Sequence, residues 1–279
     1  MLTRSFIFVR GLSEDQERAL WGRGILDWAL ARAHVDEVAA VLGNARAQKL
    51  VEQVGEAQAA QERGDHAWFK TNWPEREVWR LWEGYCRSDQ AALVDIETTG
   101  LTPGFDQITV IGLANAAGAR AFVAGRPQAP DEPLDRFREA IKGHHLLVTF
   151  NGVNFDVPFI EKHFRDANFH FDQPHLDLLV LARVLGLSGG LKDMEKQLGI
   201  TRADDIKEVR GNLAVQLWNQ WRAGDLAAYQ RLVTYCKADC TNLTQFAGIL
   251  YRRRWEQIHT PHARVIDFAK IKGQQLTLF

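Results

Sequence analysis

The hydrophobic pattern of the chain changes near residue 91, and this change constrains the fold more than any other feature. Before it, apolar residues recur at helical spacing, as in Leu20, Trp21, Ile25 and Trp28. After it, residues 91–96, 108–113 and 119–123 form compact apolar runs separated by glycine-containing turns. Runs this short and this closely spaced predict three strands in an antiparallel meander.

The rest of the chain alternates predicted helices with a further buried strand. A strand is predicted over residues 146–150, and helices over 133–141, from about 156, and over 176–187, 191–198, 213–222 and 226–254. This order predicts an α/β fold, with a sheet flanked by helices. We divide the chain into a mainly helical region at 1–88, an α/β domain at 89–255 and a basic tail at 256–279.

Composition excludes several classes of protein. The chain has 279 residues, 46% hydrophobic and 25% charged, so it can bury a core and is not disordered as a whole. Its most apolar stretch, residues 178–187, is short and contains Arg183, so we expect no membrane span. We expect no signal peptide, because residues 1–11 contain no small-residue cleavage site. Three cysteines, an odd number, favour a reducing cytoplasm.

The charge distribution bears on possible partners. The net charge is −1, with an acidic middle and a basic tail. A nucleic-acid binder usually carries a basic surface, so the overall charge argues mildly against one. Acidic residues that hold divalent cations would remove this objection.

Carboxylates stand at the ends of the predicted elements. Asp95 and Glu97 are two residues apart at the end of the first strand, so both point to one face of the sheet. Asp156 opens a helix directly after a buried strand. Asp239 lies in the last long helix, and Tyr235 lies one turn before it on the same side.

Four carboxylates brought together would repel one another strongly without cations. Oxygen-only ligands favour Mg²⁺ or Mn²⁺ over Zn²⁺. The sequence therefore predicts a divalent-cation site at Asp95, Glu97, Asp156 and Asp239. The alternative for each aspartate taken alone is a helix cap or a solvated side chain.

Three ordered motifs carry a resemblance to a known family. Residues 94–101, Val-Asp-Ile-Glu-Thr-Thr-Gly-Leu, resemble the first motif of the DEDD 3′→5′ exonucleases. That resemblance implies the ribonuclease H-like fold, with a mixed five-stranded sheet flanked by helices. Residues 151–159, Asn-Gly-Val-Asn-Phe-Asp-Val-Pro-Phe, are similar to the second motif as found in proofreading exonucleases of family B DNA polymerases. Tyr235 and Asp239 match the third motif of the tyrosine (DEDDy) branch. The overall layout, with Leu20-Trp21 and residues 190–195, resembles the bacterial YprB-like proteins.

The resemblance implies a two-metal-ion 3′→5′ exonuclease that hydrolyses phosphodiester bonds at single-stranded or frayed DNA ends, in DNA replication or repair. Asp95 would bridge two Mg²⁺ or Mn²⁺ ions, and Glu97 and Asp239 would complete the site that activates water. Asp156 would hold the second ion, and Tyr235 would orient the water. Two alternatives remain open: an exoribonuclease, and a non-catalytic nucleic-acid-binding adaptor, which the complete set of carboxylates disfavours.

The same resemblance implies substrate contacts at four positions. Thr98 and Leu101 fall where the family holds the terminal nucleotide, and Asn151 and Phe155 are further strand contacts. The alternatives are structural, with packing for Leu101 and Phe155 and turn formation for Thr98 and Asn151.

The last residues resemble a partner-binding peptide. Gln275, Leu276, Thr277, Leu278 and Phe279 are similar to the pentapeptide by which bacterial replication and repair proteins bind the DNA sliding clamp. Thr277 departs slightly from that pattern. The alternative is that Leu276, Leu278 and Phe279 dock onto the protein's own core.

Aromatic residues and cysteines have competing interpretations. A tryptophan group before the sheet could stack on single-stranded bases or pack the helical region on the α/β domain: Trp68, Trp73, Trp79 and Trp82. Cys236 and Cys240, one helical turn apart, lack a second Cys/His pair for a tetrahedral metal site. We expect both cysteines on the buried side of their helix.

Overall fold

A computed structural model describes residues 2–201 and 211–259. The α-helices before the sheet are α1 (Glu14–Gly22), α2 (Trp28–Ala33), α3 (Val35–Leu42), α4 (Asn44–Arg63) and α5 (His66–Asn72). The strands are β1 (Ala91–Thr98), β2 (Ile108–Asn115), β3 (Gly118–Val123), β4 (Glu132–Pro133), β5 (Leu146–Thr149) and β6 (His175–Asp177). The later helices are α6 (Phe137–Ile141), α7 (Asp156–His163), α8 (Leu178–Val184), α9 (Leu191–Leu198), α10 (Gly211–Arg222) and α11 (Leu226–His259).

The described residues bear on two further sequence predictions. The clamp-peptide residues Gln275, Leu276, Leu278 and Phe279 lie outside the described residues, so that prediction stays a prediction. None of the described helices combines the length and hydrophobicity that a membrane crossing requires.

Within residues 2–201 and 211–259 the strands form a six-stranded sheet in the order β4-β3-β2-β1-β5-β6. The β1–β2 and β2–β3 pairs are antiparallel and the other pairs are parallel, which confirms the α/β class with a mixed sheet. The predicted number of strands, five, was too low. The chain pairs His175–Asp177 with β5 before α8 begins, whereas the sequence predicted a helix from residue 176. A three-residue strand is too short to show a period, so its pairing with β5 decides its conformation.

Strand β1 separates two layers of the core. Ala92, Val94 and Ile96 pack in one hydrophobic cluster with side chains of α6 and α7. Asp95 and Glu97 have the opposite parity, so they lie on the face of the sheet that α11 covers. The alternation of β1 thus places both carboxylates beneath the last helix.

Gly112 lets α11 lie close to the sheet. It pairs with Asp95 across the β1–β2 ladder. A Cβ built on Gly112 would lie 2.5 Å from the Cys240 Sγ and 2.9 Å from the Cys236 Sγ. Both cysteines are fully buried, which confirms their expected place on the inner side of the helix.

A buried ion cluster connects the segments of the helical region. Arg80, 1% exposed, lies in the 3₁₀ helix Glu75–Trp82. Its Nη1 donates to the Glu17 Oε2 and its Nε to the Glu77 Oε2, both at 2.8 Å. Burial raises the pKa of Glu17 even though Arg80 opposes the shift. Removing one partner would leave a buried charge uncompensated, so the three side chains depend on one another.

The tryptophans before the sheet pack rather than face solvent. Trp73 and Trp79 are buried, and Trp68 and Trp82 pack partly buried against the same cluster. That cluster continues into α11, where the Tyr251 ring lies 5.8 Å from the Trp79 ring between centroids. The packing interpretation therefore accounts for these aromatic residues.

The close approach at Gly112 gives a stability prediction. We expect Gly112→Ala to lower the free energy of unfolding by about 1–3 kcal/mol, because the added methyl group meets two buried sulfur atoms. The control is Gly55→Ala in α4, where a Cβ would meet nothing within 4 Å and helix propensity favours alanine. Urea unfolding of both variants measures the difference. Equal stabilities would contradict the tight contact between α11 and β2.

Candidate active site

Strand β1 presents two carboxylates to one point. Asp95 is half-buried and Glu97 is buried, and both side chains project from the same face of the strand. The ladder to β2 shifts register between Glu97 and Thr98, so the regular pairing is interrupted directly after the second carboxylate. The Cys236 Sγ of α11 lies 3.6 Å from the Asp95 backbone oxygen, which fixes how near the helix comes.

Helix α11 contributes Asp239 and Tyr235. Both residues are buried, and they lie one turn apart on the side of the helix that faces the sheet. The Tyr235 hydroxyl is hydrogen-bonded to Asp239. Burial, followed by the charges of Asp239, Glu97 and Asp95, raises the pKa of Tyr235 far above its ordinary value. These surroundings favour the protonated phenol.

Asp156 reaches the cluster from α7, a different element from β1 and α11. It is the first residue of α7 and is buried, and its carboxylate accepts a hydrogen bond from the Ile96 backbone N–H. Burial is the main cause that raises the pKa of Asp156 to about 7, and the charge of Asp177 adds to it. Asp156 thus lies beside β1, hydrogen-bonded to the residue between Asp95 and Glu97.

The four carboxylates influence one another electrostatically. Burial raises the pKa of Asp95 well above its ordinary value, and the charges of Asp239, Asp156 and Glu97 raise it further. Glu97 is affected in the same way by burial, then Asp239 and Asp156. The structure therefore brings together all four acidic residues predicted from the sequence. Such a cluster has excess negative potential that a cation would neutralise.

Two other side chains reach this cluster. Ligand atoms of Asp95, Glu97 and Cys236 lie within 4.8 Å of one another, which places a thiol at the edge of the carboxylates. Lys192, in the first turn of α9, places its Nζ 4.9 Å from the centre of the Tyr235 ring and lowers the pKa of Glu97 against the other influences. Lys192 lies in the segment 190–195, where the sequence pattern alone predicts no contact with the carboxylates.

Asp177 holds the loop before Asp156, a contact that sequence reasoning missed. Its Oδ1 accepts from the Asn151 N–H at 2.8 Å, and its Oδ2 accepts from the Val153 N–H at 3.1 Å. It also caps α8 by accepting from the Leu179 N–H at 3.0 Å. One buried carboxylate thus orients the loop that leads into Asp156. An aspartate before an apolar helix is a capping signal in the sequence, but its reach across to another loop is not.

The loop before α7 is shaped by further contacts with the sheet. Asn151 has a φ of 64°, a left-handed conformation that asparagine tolerates. The Gly152 N–H donates to the Thr149 Oγ1 at 3.1 Å, and a Cβ at Gly152 would lie 2.1 Å from that oxygen. The Thr149 Oγ1 is also 2.8 Å from the His175 Nε2. His175 therefore contacts Thr149, the residue of β5 that holds the loop.

The predicted substrate contacts divide into two groups. Leu101 is 82% exposed beside the end of β1, so it is free to contact a ligand. Thr98 is buried with its hydroxyl bonded to the Gly100 carbonyl, and Asn151 has its strained turn conformation. Phe155 is half-buried and packs on Phe159 at 4.8 Å between ring centroids, as in the structural alternative.

Comparison with known proteins adds family evidence to this geometry. Two solved structures are similar. One is the family B DNA polymerase from the hyperthermophilic archaeon Pyrobaculum calidifontis, at 15% identity and a TM-score of 0.44, covering 58% of this chain. The other is described as the apo form of a nuclease, at 20% identity and a TM-score of 0.43, covering 67% of this chain and 80% of that one. This chain spans 25% of the polymerase chain. No curated protein matches the sequence.

A family model described as RNase_H superfamily matches residues 92–251, which is more than half of the chain. The matched segment runs from β1 to the second half of α11 and contains the four carboxylates and Tyr235. The expected ribonuclease H-like fold is thereby confirmed. The chain belongs to the RNase H superfamily.

Proposed function

We propose that this protein is a metal-dependent 3′→5′ exonuclease acting on single-stranded or frayed DNA ends. The observation that carries the proposal is the meeting of four carboxylates, from β1, α7 and α11, with a protonated tyrosine beside them. Membership of the RNase H superfamily supports nucleic acid as the substrate and hydrolysis as the reaction. The three ordered motifs support the tyrosine branch of the DEDD exonucleases.

The residues fit a site for two divalent cations. Asp95, Glu97, Asp156 and Asp239 supply oxygen donors only, which suits Mg²⁺ or Mn²⁺. Burial and neighbouring carboxylates raise the pKa values of Asp95, Glu97 and Asp156. The positive charge of a bound cation would lower all three. Asp95 would help to hold both cations, Glu97 and Asp239 would hold one of them, and Asp156 would hold the other. Bound divalent cations supply Lewis acidity and make water a better nucleophile at neutral pH.

The chain's own residues have distinct tasks in this proposal. The Tyr235 hydroxyl, hydrogen-bonded to Asp239, is proposed to orient the attacking water, and its raised pKa favours this role in the protonated form. Asp177 keeps the loop at Asn151 in place and so positions Asp156 at the start of α7. Thr98, Leu101, Asn151 and Phe155 are the proposed contacts with the terminal nucleotides.

Matched oligonucleotides test the proposal against its alternatives. Single-stranded DNA and RNA of one sequence, labelled at the 5′ or the 3′ end, are incubated with the protein and Mg²⁺ or Mn²⁺. Stepwise shortening of 5′-labelled DNA from its 3′ end is the expected result. Shortening of RNA alone would favour the exoribonuclease, and binding without cleavage of any strand would favour the adaptor.

Variants of the candidate site should lower the rate of hydrolysis to different extents. We expect Asp95→Ala to abolish hydrolysis while the protein stays folded, because this carboxylate is proposed to hold both cations and otherwise adds repulsion. Tyr235→Phe should lower kcat by a smaller factor, on the order of 10²-fold, because every carboxylate remains. The measurement is the rate of mononucleotide release, with circular dichroism as the control for folding. Wild-type turnover in a folded Asp95→Ala protein would refute the assignment.

The free energy of unfolding should depend on pH, and divalent cations should oppose its decrease at higher pH. Asp156 has a pKa of about 7 in the folded protein against an ordinary 3.8, so the folded state retains a proton that the unfolded chain releases. The free energy of unfolding without metal should therefore fall as pH rises from about 4 to about 7. Mn²⁺ should raise it more at pH 8 than at pH 5, because it binds the ionised carboxylates.

Urea unfolding in EDTA and in Mn²⁺ at several pH values measures this dependence. Asp156→Asn should flatten the decrease, whereas Asp135→Asn, at an exposed position before α6, should leave it unchanged. A Mn²⁺ effect of equal size at pH 5 and pH 8 would contradict the cation site.

The C-terminal residues support a second element of the proposal. Gln275, Leu276, Leu278 and Phe279 would bind the bacterial DNA sliding clamp and recruit the enzyme to replication or repair sites. A peptide with two buried apolar anchors is expected to bind in the micromolar range after the cost of ordering it. Calorimetric titration of the clamp with residues 270–279 tests this directly. A peptide with Leu278 and Phe279 replaced by alanine is the control, and absence of binding at high micromolar concentration would exclude the clamp.

A further inference from the structure

Phe105 is an aromatic residue that the fold leaves in solvent. It is 90% exposed, the most exposed large hydrophobic side chain among the described residues. It lies in the turn between β1 and β2, which begins directly after the carboxylate-bearing end of β1. A single exposed apolar side chain is common on protein surfaces, so it is the place of this ring, beside the carboxylate-bearing end of β1, that makes it a candidate for ligand contact.

The turn that carries Phe105 is closed by its own hydrogen bonds. The Asp106 Oδ2 accepts from the Thr102 N–H at 2.9 Å, and the Phe105 N–H donates to the Thr102 carbonyl at 3.1 Å. At its base, Thr99 and Gln107 are joined by a backbone hydrogen bond of 2.9 Å and by a Gln107 N–H to Thr99 Oγ1 bond of 3.0 Å. The phenyl ring is thus presented on a constrained backbone, which reduces the entropy lost when it binds a ligand.

A lysine lies next to this turn. The Lys162 side chain of α7 packs beside Gly104, where a built Cβ would lie 3.1 Å from the Lys162 Cε. Lys162 is exposed, and in the part of the chain that the structure describes it belongs to none of the ion pairs. It follows Asp156 by six positions on the same helix, which corresponds to about 9 Å along the helix axis. The Lys162 side chain therefore lies against the residue that precedes Phe105, in the loop that follows the carboxylate-bearing end of β1.

We propose that Phe105 and Lys162 form a subsite for an unpaired nucleotide of the substrate strand. The Phe105 ring stacks on a base and the Lys162 ammonium binds a backbone phosphate. This combination of a stacking surface and a positive charge is how proteins hold single strands without reading their sequence. The subsite rests on the proposed function, because the strand bound here is the one whose end reaches the four carboxylates.

Single-stranded nucleic acid suits this surface better than another protein. The ring and the ammonium offer one flat apolar face and one isolated charge, which matches a base and its phosphate. The turn also adjoins Leu101, 82% exposed in the same loop, so a strand leaving the carboxylates meets apolar groups in succession. The carboxylates themselves repel phosphates, and Lys162 provides a compensating charge at the side of the site.

Binding and turnover of matched variants test the subsite. We expect Phe105→Ala to weaken binding of a labelled single-stranded DNA by about tenfold in Ca²⁺, and to raise KM by a similar factor with kcat retained. Lys162→Ala should weaken binding and reduce the slope of its salt dependence by about one contact. The controls are Val184→Ala, an exposed apolar residue on α8, and Lys49→Ala, an exposed lysine on α4. Both should bind as the wild type does.

Abasic oligonucleotides locate the stacked base and exclude an indirect effect. Removing the base at one position from the 3′ end should weaken wild-type binding as much as Phe105→Ala does, and should have no further effect on that variant. If every abasic position weakens both proteins equally, Phe105 does not stack on a base and the subsite is wrong. If Phe105→Ala and Lys162→Ala bind as the wild type while the wild type degrades DNA, the subsite fails and the exonuclease proposal stands. If the wild type degrades no strand, the exonuclease proposal itself fails, whatever the variants show.

Discussion

The contact between α11 and strands β1 and β2 is the constraint on which the candidate site depends. Asp239 can approach Asp95 only because the position opposite Asp95 is Gly112, over which the two sulfur atoms of α11 lie. The helix must come this close because a carboxylate side chain is short. The same contact buries the cysteines and removes water from the carboxylates. Packing and electrostatics are therefore set by one small residue in the middle of a strand.

Bringing these carboxylates together opposes folding. Each is desolvated and each raises the pKa of its neighbours, so the acidic cluster contributes repulsion that the rest of the core offsets. Apolar layers on both faces of the sheet supply that compensation, with one cluster on the α6 and α7 side and another beneath α11. Such a local conflict between stability and arrangement is typical of a functional site.

Sequence reasoning succeeded where the periodicity of a single strand or helix decides which way a side chain points. The two-residue period of β1 placed Asp95 and Glu97 on one face, and the helical period placed Tyr235 beside Asp239. It failed where a contact depends on a distant partner. Asp177 reaches the Asn151 loop only because a three-residue strand pairs with β5, and the importance of Gly112 depends on which helix crosses it. The pairing of a short strand and the point at which a helix crosses a sheet depend on tertiary packing, which local sequence patterns do not encode.

Helix α11 also joins two regions that lie far apart along the sequence. Its first half carries Tyr235 and Asp239, while its last turns pack Trp255 and His259 against Trp21 and the helical region. Over 34 residues the helix spans about 50 Å as a continuous rod. A shorter version of the protein that began at β1 would expose the aromatic side of this rod to water. The helical region therefore supports α11, and removing it would take away the packing at one end of the helix that carries Asp239.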